Sequence, residues 1–425
     1  MKKLFIVYLL FITTISLQAQ QITIVIDNAT LHIGDGSVIE KGTVIFKNGK
    51  IEYAGPQKDH GFDDNTASII DGTGKHVYPG IIATGSGLGL IEYSAVRATR
   101  DAYEVGVFNP NVRSLIAYNT DSKVIPTVRS NGILIAQVVP GGGVISGQSS
   151  IMKLSGWNWE DAAVDTDNGM HMCWPGVYSY NYEKGTYEVS SSYAEEVNEI
   201  NTFMQEAKAY CSVENHKEKN LKFEAMRELF AGKQKMFVSA NAAKAIVGAV
   251  DFAKTFGIKI VIVGGRQSYR VTTLLKENNI PVIIESTHEL PAYDGDPVDL
   301  PYRLPGILKS AGILCGLTLS DGGDSFWGMR NIPFIAGTSA AYGLTKEEAL
   351  QLITLNNAKI LGIDNNYGSL VAGKSATLFV AEGDVLDMKT SVLTNIFING
   401  ERIKVENWQD DLSKKYEMKY GIEVK

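Results

Sequence analysis

The clearest candidate for a reactive group in this chain is a carboxylate at the end of a predicted strand. Asp321 follows the apolar run Ile313–Leu319 and precedes Gly322 and Gly323. A carboxylate in such a position can bind a metal ion or act as a general base. The alternative role is structural, because an Asp before two glycines can also cap a turn through its own side chain. The sequence leaves both interpretations open.

A second candidate is His288, which lies just beyond the predicted strand Pro281–Ile284. It stands in the loop IIESTHELPAYDGDPVDL, close in sequence to Glu285, Asp294 and Asp296. An imidazole among carboxylates can join a binding site or a metal site. Such a loop can equally form a solvated acidic rim, so both roles stay open for His288.

The cysteines carry little evidence for metal chemistry. His171 and Cys173 form a His-x-Cys pair without a second pair of ligands, and we expect both at the surface of an insertion. Three cysteines allow at most one internal disulfide, for which Cys173 and Cys211 are the candidates. Cys315 has the setting of a small buried hydrophobic residue on a strand.

Two glycine-rich stretches suggest phosphate binding, but neither completes the motif. Residues 142–149 have the spacing of a P-loop, yet Gln148 stands where the motif requires lysine. Residues 85–90 follow a predicted strand, but Leu90 replaces the third glycine of a dinucleotide fingerprint. A glycine-lined cleft with free backbone N–H groups is the better interpretation of 85–90.

These residues must be positioned by a framework in which strands and helices alternate. Residues 78–368 follow this pattern, as in the strand Met236–Ala240 and the amphipathic helix Ala242–Phe256. A final helix is predicted for Thr345–Leu361, with a capping box at its start. The alternation predicts an α/β fold, a distorted (β/α)8 barrel similar to a TIM barrel. A Tyr-, Ser- and Glu-rich stretch at about 157–220 is predicted to be an insertion over the open face.

The two ends of the chain have a different pattern. Residues 21–77 and 369–407 consist of short β-branched runs between glycine turns, with Asn48-Gly49 as the strongest hairpin signal. We predict that both segments form one small composite β-sandwich. Residues 1–20 have a basic start, an apolar run and Ala19, which is the layout of a secretory signal peptide.

The composition excludes some classes of protein. A 44% hydrophobic content is too high for a disordered chain, and a net charge of −7 with both signs interspersed gives no reason to expect nucleic-acid binding. Apart from the predicted signal peptide, no stretch is apolar over the roughly 20 residues that cross a bilayer. We therefore expect an exported protein, periplasmic or extracellular, without a membrane span.

The segment YPGIIATGSG resembles the end of the first barrel strand in the amidohydrolase superfamily, specifically its imidazolonepropionase-like branch. Pro79-Gly80-Ile81-Ile82 match that pattern. Stretches such as GGGVISGQSS and NATLHIGDG extend the resemblance over nearly all of the mature chain. The resemblance implies the barrel, the composite β domain and a catalytic site that uses zinc or another divalent metal. It also implies five metal-ligand positions, which in this sequence are Gly85, Gly87, Ser239, Gly264 and Asp321.

Only Asp321 among these positions has a side chain that suits a divalent metal, so we expect no bound metal cofactor. Two hypotheses follow. In the first, the protein hydrolyses non-peptide or dipeptide C–N bonds, weakly or through a rebuilt site, with Asp321 as base or ligand. In the second, it is an inactive relative that binds a small-molecule or peptide-like ligand, or pairs with an active paralogue or another copy. The predicted cleft residues are Gly85, Gly87, Ser239, Gly264 and His288.

The signal peptide gives a direct prediction. Cleavage near Ala19 should leave a mature chain that begins close to Gln20, because the basic and apolar regions are both complete. Intact-mass analysis of protein from the periplasmic fraction tests this expectation. Recovery there of a form that still begins at Met1 would contradict it.

Overall fold

A computed structural model describes residues 22–63, 65–292, 295–319 and 325–422. The predicted signal peptide and Asp321 lie outside these residues. Within the described ranges, no helix is both long and apolar enough to cross a bilayer.

The strands fall into three groups along the chain. The amino-terminal group is β1 (Thr23–His32), β2 (Val38–Lys47), β3 (Lys50–Pro56), β4 (Ala67–Asp71) and β5 (His76–Pro79). The central group is β6 (Ile81–Ser86), β7 (Ile133–Val138), β8 (Ile145–Lys153), β9 (Ala163–Cys173), β10 (Tyr178–Asn181), β11 (Thr186–Val189), β12 (Lys235–Ala240), β13 (Ile260–Gly264), β14 (Val282–Ile284) and β15 (Cys315–Leu317). The carboxy-terminal group is β16 (Leu378–Ala381), β17 (Leu393–Ile398) and β18 (Glu401–Ile403).

The helices surround the central group, except the last. They are α1 (Ser114–Ala117), α2 (Val124–Arg129), α3 (Trp159–Ala162), α4 (Tyr193–Cys211), α5 (Leu221–Glu224), α6 (Arg227–Phe230), α7 (Ala243–Phe256), α8 (Thr272–Glu277), α9 (Leu300–Ser310), α10 (Ser325–Gly328), α11 (Ile332–Ala341), α12 (Lys346–Ile353), α13 (Leu355–Leu361) and α14 (Trp408–Tyr420). Helix α14 was not predicted from the sequence. It buries none of its residues and meets the body mainly at its first turn, where Thr127 donates to Gln409 at 2.6 Å.

The composite β domain is confirmed. Its sheet has the order β18-β17-β16-β5-β1-β2-β3, with β4 beside β1, so strands from both chain ends belong to one sheet. The two ends join where β16 runs antiparallel to β5 and Leu378 faces Pro79. Phe46 and Phe397 meet edge to face in the core of this domain, with ring centroids 5.0 Å apart. The Asn48-Gly49 turn has positive φ at both residues, as a two-residue type I′ hairpin requires.

The barrel sheet is also confirmed, with one departure from regular alternation. Its order is β6-β7-β8-β9-β12-β13-β14-β15, so β12 and β13 are its fifth and sixth strands. Strand β8 is antiparallel to both neighbours. The reason lies in the connection, because β7 reaches β8 through the short glycine loop that resembled a P-loop, without an intervening helix.

The range 157–220 is not wholly an insertion. It contains β9, which pairs with β12 in parallel and forms the fourth strand of the barrel. Residues beyond β9 do lie outside the sheet, as the two-stranded hairpin β10–β11 and the long helix α4. The sequence obscured β9 because its residues AVDTDNGMHMC lack a continuous apolar run.

The cysteines are free thiols, so the Cys173–Cys211 bridge that the sequence left open is not formed. Cys173 ends a barrel strand, whereas Cys211 ends α4, where its thiol donates to the Phe223 carbonyl at 3.3 Å. Different elements therefore hold the two residues. Cys315 is buried on β15, as expected.

The seam between the first and last barrel strands is closed by side chains. Asn357 on α13 is fully buried, and its Nδ2 donates to the carbonyl of Ile82 on β6 at 2.7 Å and to that of Leu317 on β15 at 3.0 Å. Thr318 adds a bond from its Oγ1 to the carbonyl of Thr84 at 2.5 Å. These bonds satisfy strand-edge carbonyls that would otherwise be buried without partners.

The seam also explains why the predicted helix Thr345–Leu361 is two helices. The capping box of Thr345 with Glu348 is present at its start. At Thr354 the backbone leaves the helical region, with φ −126° and ψ −96°. The break directs α13 toward the sheet, where Asn356 bonds the Cys315 carbonyl and Asn357 bonds the seam.

A test of the seam is the substitution Gly316→Ala. The added methyl would lie 2.0 Å from Oδ1 of Asn357, so it must displace the amide that joins the strands. We expect a loss of about 1–3 kcal/mol in the free energy of unfolding, measured by urea denaturation.

The matched control is Gly306→Ala in α9, where the methyl would meet only Leu344 at 3.8 Å. It should be neutral or stabilise the fold by up to about 1 kcal/mol, since alanine favours helices. Equal effects of both substitutions would contradict the role assigned to the seam.

Candidate functional site

The predicted site residues lie on or just after strands of the barrel, but the fold does not bring all of them to one cleft. Ser239 near the end of β12 and Gly264 at the end of β13 border adjoining cavities. Gly85, near the end of β6, faces a buried polar cluster instead, and Gly87 follows the same strand. His288 is held by a hydrogen bond from its ring to Thr338 on α11. Asp321 lies outside the described residues.

The backbone at two of these positions has a shape that suits glycine. Gly85 has φ +66° and Gly264 has φ +88°, values that residues with side chains rarely adopt. At Gly264 space is lacking as well, because a Cβ would lie 2.4 Å from Oδ1 of Asn241. A side chain at either position would therefore strain the strand end, and at Gly264 it would also displace Asn241.

A polar cluster fills the barrel interior beneath β6 to β9, and sequence analysis missed it. It consists of Gln137, Ser149 and His171, all of them buried. Gln137 accepts a hydrogen bond from the Gly85 N–H at 3.3 Å and donates to Ser149 Oγ at 3.1 Å. Ser149 donates in turn to the Gly169 carbonyl at 3.2 Å. The network thus connects four successive barrel strands.

The same network fixes the state of His171. Its Nε2 lies 2.9 Å from Ser149 Oγ, and because that hydroxyl proton is used on Gly169, the assignment that satisfies both groups makes Nε2 the donor. The ring stacks on Phe237, with centroids 4.9 Å apart. Burial lowers the pKa of His171 to about 3, so the ring is neutral at physiological pH.

The prediction that His171 lies at the surface of an insertion was wrong, because β9 carries it into the barrel. Its role is to hold Ser149, and as a donor it cannot activate that hydroxyl as a nucleophile. One signal in the sequence could have revealed the cluster. Gln137 and Ser149 each stand two residues from the apolar Ile135 and Ile151, and residues two apart on a strand share a face.

The mouth of the barrel carries a thiol, a hydroxyl and a carboxylate. Cys173 and Ser239 are partners in register on β9 and β12. Burial, and secondarily the charge of Glu285, raises the pKa of the Cys173 thiol. Cys173 itself is exposed to solvent, and the raised pKa keeps its thiol protonated and weakly nucleophilic at neutral pH.

Beside the mouth lies a cleft of about 510 Å³, which is within the range of small-molecule sites. One wall is aromatic and comes from Trp174 and from Tyr178 and Tyr187 on the hairpin β10–β11. Polar groups in the lining come from Ser239, Asn241 and Arg266.

Two contacts shape the walls of this cleft. Trp174 is held in place by a hydrogen bond from its indole N–H to the Tyr193 hydroxyl at 3.2 Å. Arg266 forms a 2.6 Å ion pair with Glu289, so a ligand anion would compete with that carboxylate. The cleft therefore offers flat apolar surface and hydrogen-bonding groups at the carboxyl ends of the strands.

The residues at the implied ligand positions do not fit a catalytic zinc ion. Such a site uses about three nitrogen, sulfur or oxygen ligands from the protein. Gly85, Gly87 and Gly264 offer no side-chain donor, and Ser239 offers a hydroxyl. Within the part of the chain that the structure describes, no group of three or more His, Cys, Asp or Glu residues is placed to hold a metal ion. We therefore derive no chemical step through a metal.

Comparison with known proteins decides the family. A family model described as the amidohydrolase family matches residues 183–406, more than half of the chain. The chain belongs to the amidohydrolase family. Members of this family usually use divalent metals.

Individual relatives agree with this assignment. An amidohydrolase from Thermotoga maritima MSB8 superposes with a TM-score of 0.77 at 26% identity, covering 90% of this chain and 99% of that one. A prolidase complexed with N-methylphosphonate-L-proline shares the fold, with a TM-score of 0.53 at 16% identity and coverage of 90% and 99%. An imidazolonepropionase from Shewanella frigidimarina (strain NCIMB 400) is 63% identical over 35 residues. That match spans only 8% of this amidohydrolase and 8% of the curated relative.

The buried histidine predicts a pH dependence of stability. His171 binds its proton far less readily in the folded chain than in the unfolded chain, whose histidine pKa is near 6.5. Its contribution is therefore complete above pH 6.5 and is lost as the pH falls toward 3, at up to about 1.4 kcal/mol per pH unit.

Urea denaturation of the wild type and His171→Gln between pH 7 and 4 measures this effect. All other titrating groups are common to both proteins, so the difference between their slopes isolates His171. As the pH falls, the free energy of unfolding of the wild type should decrease more steeply than that of His171→Gln. The difference in slope should correspond to the uptake of up to one additional proton on unfolding. Equal slopes would show that His171 is not kept neutral by burial.

Proposed function

We propose that this protein is a non-hydrolytic member of the amidohydrolase family that binds a small amide-like or dipeptide-like ligand in the cleft beside Ser239. The observation that carries the proposal is the backbone of Gly85 and Gly264, with φ +66° and +88°. Two positions that the family resemblance assigns to ligating histidines thus have backbone conformations that favour glycine, and at Gly264 a Cβ would also clash with Asn241. The absence of these imidazole ligands therefore goes together with the backbone conformation of the strand ends.

The lost ligands remove the means of activating water. A zinc-bound water has a pKa near 7, far below that of free water, and this shift makes hydroxide available for attack. Asp321 alone provides a carboxylate, which is too little to hold a divalent ion against the several ligands of dedicated sites. The thiol of Cys173 does not replace the nucleophile, because its pKa is raised.

The cleft nevertheless keeps the properties of a ligand site. Tyr178 and Tyr187 provide aromatic surface for a ring or an apolar side chain, and Arg266, Asn241 and Ser239 can bond carbonyl or carboxylate oxygens. A ligand with one flat apolar part and one amide or carboxylate fits this division. The prolidase complex, whose ligand contains a proline, is a precedent for a dipeptide-sized molecule in this fold.

A second function is favoured by family membership and by Asp321, the one retained ligand position. In this alternative, Asp321 acts as base or single ligand in a site rebuilt with residues such as His288, and C–N bonds are hydrolysed slowly. Pairing with an active paralogue in the same compartment is compatible with the binding role and would place the chemistry on the partner. We also propose export of the mature protein.

The experiment combines metal analysis, a hydrolysis assay and a binding titration on the full mature chain. Elemental analysis of protein purified without chelator should give well under one equivalent of divalent metal. A screen of hydantoin-like, imidazolone-like and dipeptide substrates should give no turnover above the background rate. Calorimetric titration with Xaa-Pro dipeptides and N-acylated amino acids should identify a saturable ligand.

Tyr187→Ala should weaken that binding about tenfold, because it removes an aromatic wall worth about 1.4 kcal/mol. Tyr182→Ala is the matched control, since Tyr182 belongs to the same hairpin segment but does not line the cleft. About one equivalent of metal, lost together with turnover in Asp321→Ala, would overturn the proposal in favour of the hydrolase.

A further inference from the structure

A second cleft lies at the opposite end of the barrel, where the strands begin. Its volume is about 900 Å³, and it is bordered by the residues that precede β12, β13, β14 and β15 and by α13. Five lysines line it. They are Lys235, Lys254, Lys259, Lys276 and Lys359. We call this site the basic cleft.

Neighbouring carboxylates neutralise the basic cleft only in part. No Asp or Glu is among the described residues that line it, and none of the ion pairs within the described chain includes one of its five lysines. Asp364, just after α13, is the acidic group that acts on Lys235 from nearby. Burial, followed by the charge of Lys259, lowers the pKa of Lys235, so these two cations are close enough to repel each other.

The backbone carbonyls at helix ends offset only part of the positive charge of the five lysines. Lys254, Lys276 and Lys359 lie in the last turns of α7, α8 and α13, where cations are favoured. Each helix end carries roughly half a negative charge, so three ends offset about one and a half of the positive charges. Asp364 offsets one more. A net charge of about two to three positive units is left in a concave site, although the whole chain carries −7.

Two of the lysines are held in place by hydrogen bonds to backbone carbonyls. Lys235 donates to the Ile360 carbonyl at 2.6 Å, and Lys259 donates to the Gly232 carbonyl at 3.1 Å. Each ammonium group has three N–H donors, so both retain donors for a ligand. The other three lysines are exposed at their helix ends and can turn toward the cleft.

We propose that the basic cleft binds a small anion that carries two or more phosphate groups. Several separate point charges suit phosphates that are themselves separated along a ligand. Among the described residues that line the cleft there is no arginine, so its charges are the compact ammonium groups of lysine, which bind phosphate as point charges. The walls between the lysines are apolar and include Ile258, Ile280 and Ile313, so part of the ligand can be uncharged.

This site is independent of the cleft beside Ser239, which lies at the other end of the strands. A failure to detect a ligand in the cleft beside Ser239 would therefore not affect the test of anion binding in the basic cleft, and the reverse also holds. A charged concave surface also concentrates its ligand electrostatically, which makes the affinity depend on salt.

The test is calorimetric titration of the full mature chain with inorganic tripolyphosphate at 50 and 200 mM salt. We expect saturable binding of one molecule per chain that weakens clearly at the higher salt. Citrate serves as the carboxylate probe and should bind at least tenfold more weakly, a larger difference than its somewhat lower charge explains.

The test variant replaces the three lysines at the helix ends together, as Lys254→Gln, Lys276→Gln and Lys359→Gln, and should weaken binding at least tenfold. The matched control changes the same net charge elsewhere, as Lys404→Gln, Lys415→Gln and Lys419→Gln, and should change the affinity less than twofold. Circular dichroism verifies that both variants fold. Three results would overturn the proposal: no saturable binding at 50 mM salt, equal weakening in both variants, or citrate binding as tight as that of tripolyphosphate.

Discussion

Closure of the barrel depends chiefly on the buried amide of Asn357, to which Thr318 adds one hydrogen bond. Asn357 joins the first and last strands through carbonyls that have no ladder partner across the seam, and it can do so because Gly316 leaves room for its side chain. The helix break at Thr354 follows from this requirement, since an uninterrupted helix would direct α13 elsewhere. The relative positions of all strand ends, and therefore of both clefts, are set once the ring is closed.

The carboxyl ends of the strands show how a family site can change without loss of the fold. Gly85 and Gly264 adopt left-handed backbone conformations that favour glycine, a Cβ at Gly264 would clash with Asn241, and the N–H of Gly85 donates to Gln137. The neutral pair of Ser149 and His171 supports this arrangement from below. The polar groups of the barrel interior are thus used in hydrogen bonds with one another. The groups that can contact a ligand lie at the mouth of the barrel and include Trp174, the hairpin tyrosines and Arg266.

Several features were predictable from the sequence because the local preferences of the residues agree with the overall fold at those positions. Asn48-Gly49 predicts its hairpin, Thr345 and Glu348 predict a helix start, and alternation predicts the barrel. Other features depend on distant parts of the chain. The direction of β8 depends on how short its loop is, and the strand β9 is recognisable only from its pairing with β12. The break at Thr354 is dictated by the seam, and the five lysines of the basic cleft are brought together from a 125-residue span of the chain.

The join between β5 and β16 has a consequence for how this chain is made. Ribosomes produce the amino end first, but β5, which pairs with β1 on one side, cannot gain its second neighbour until about 300 residues later, when Leu378–Ala381 has emerged. During that interval one edge of the first sheet stays open, and open edges invite pairing with other chains. Contacts of such long sequence separation also slow folding. The chain therefore passes through a long stage in which its first domain is incomplete, and protection by chaperones would be most useful at that stage.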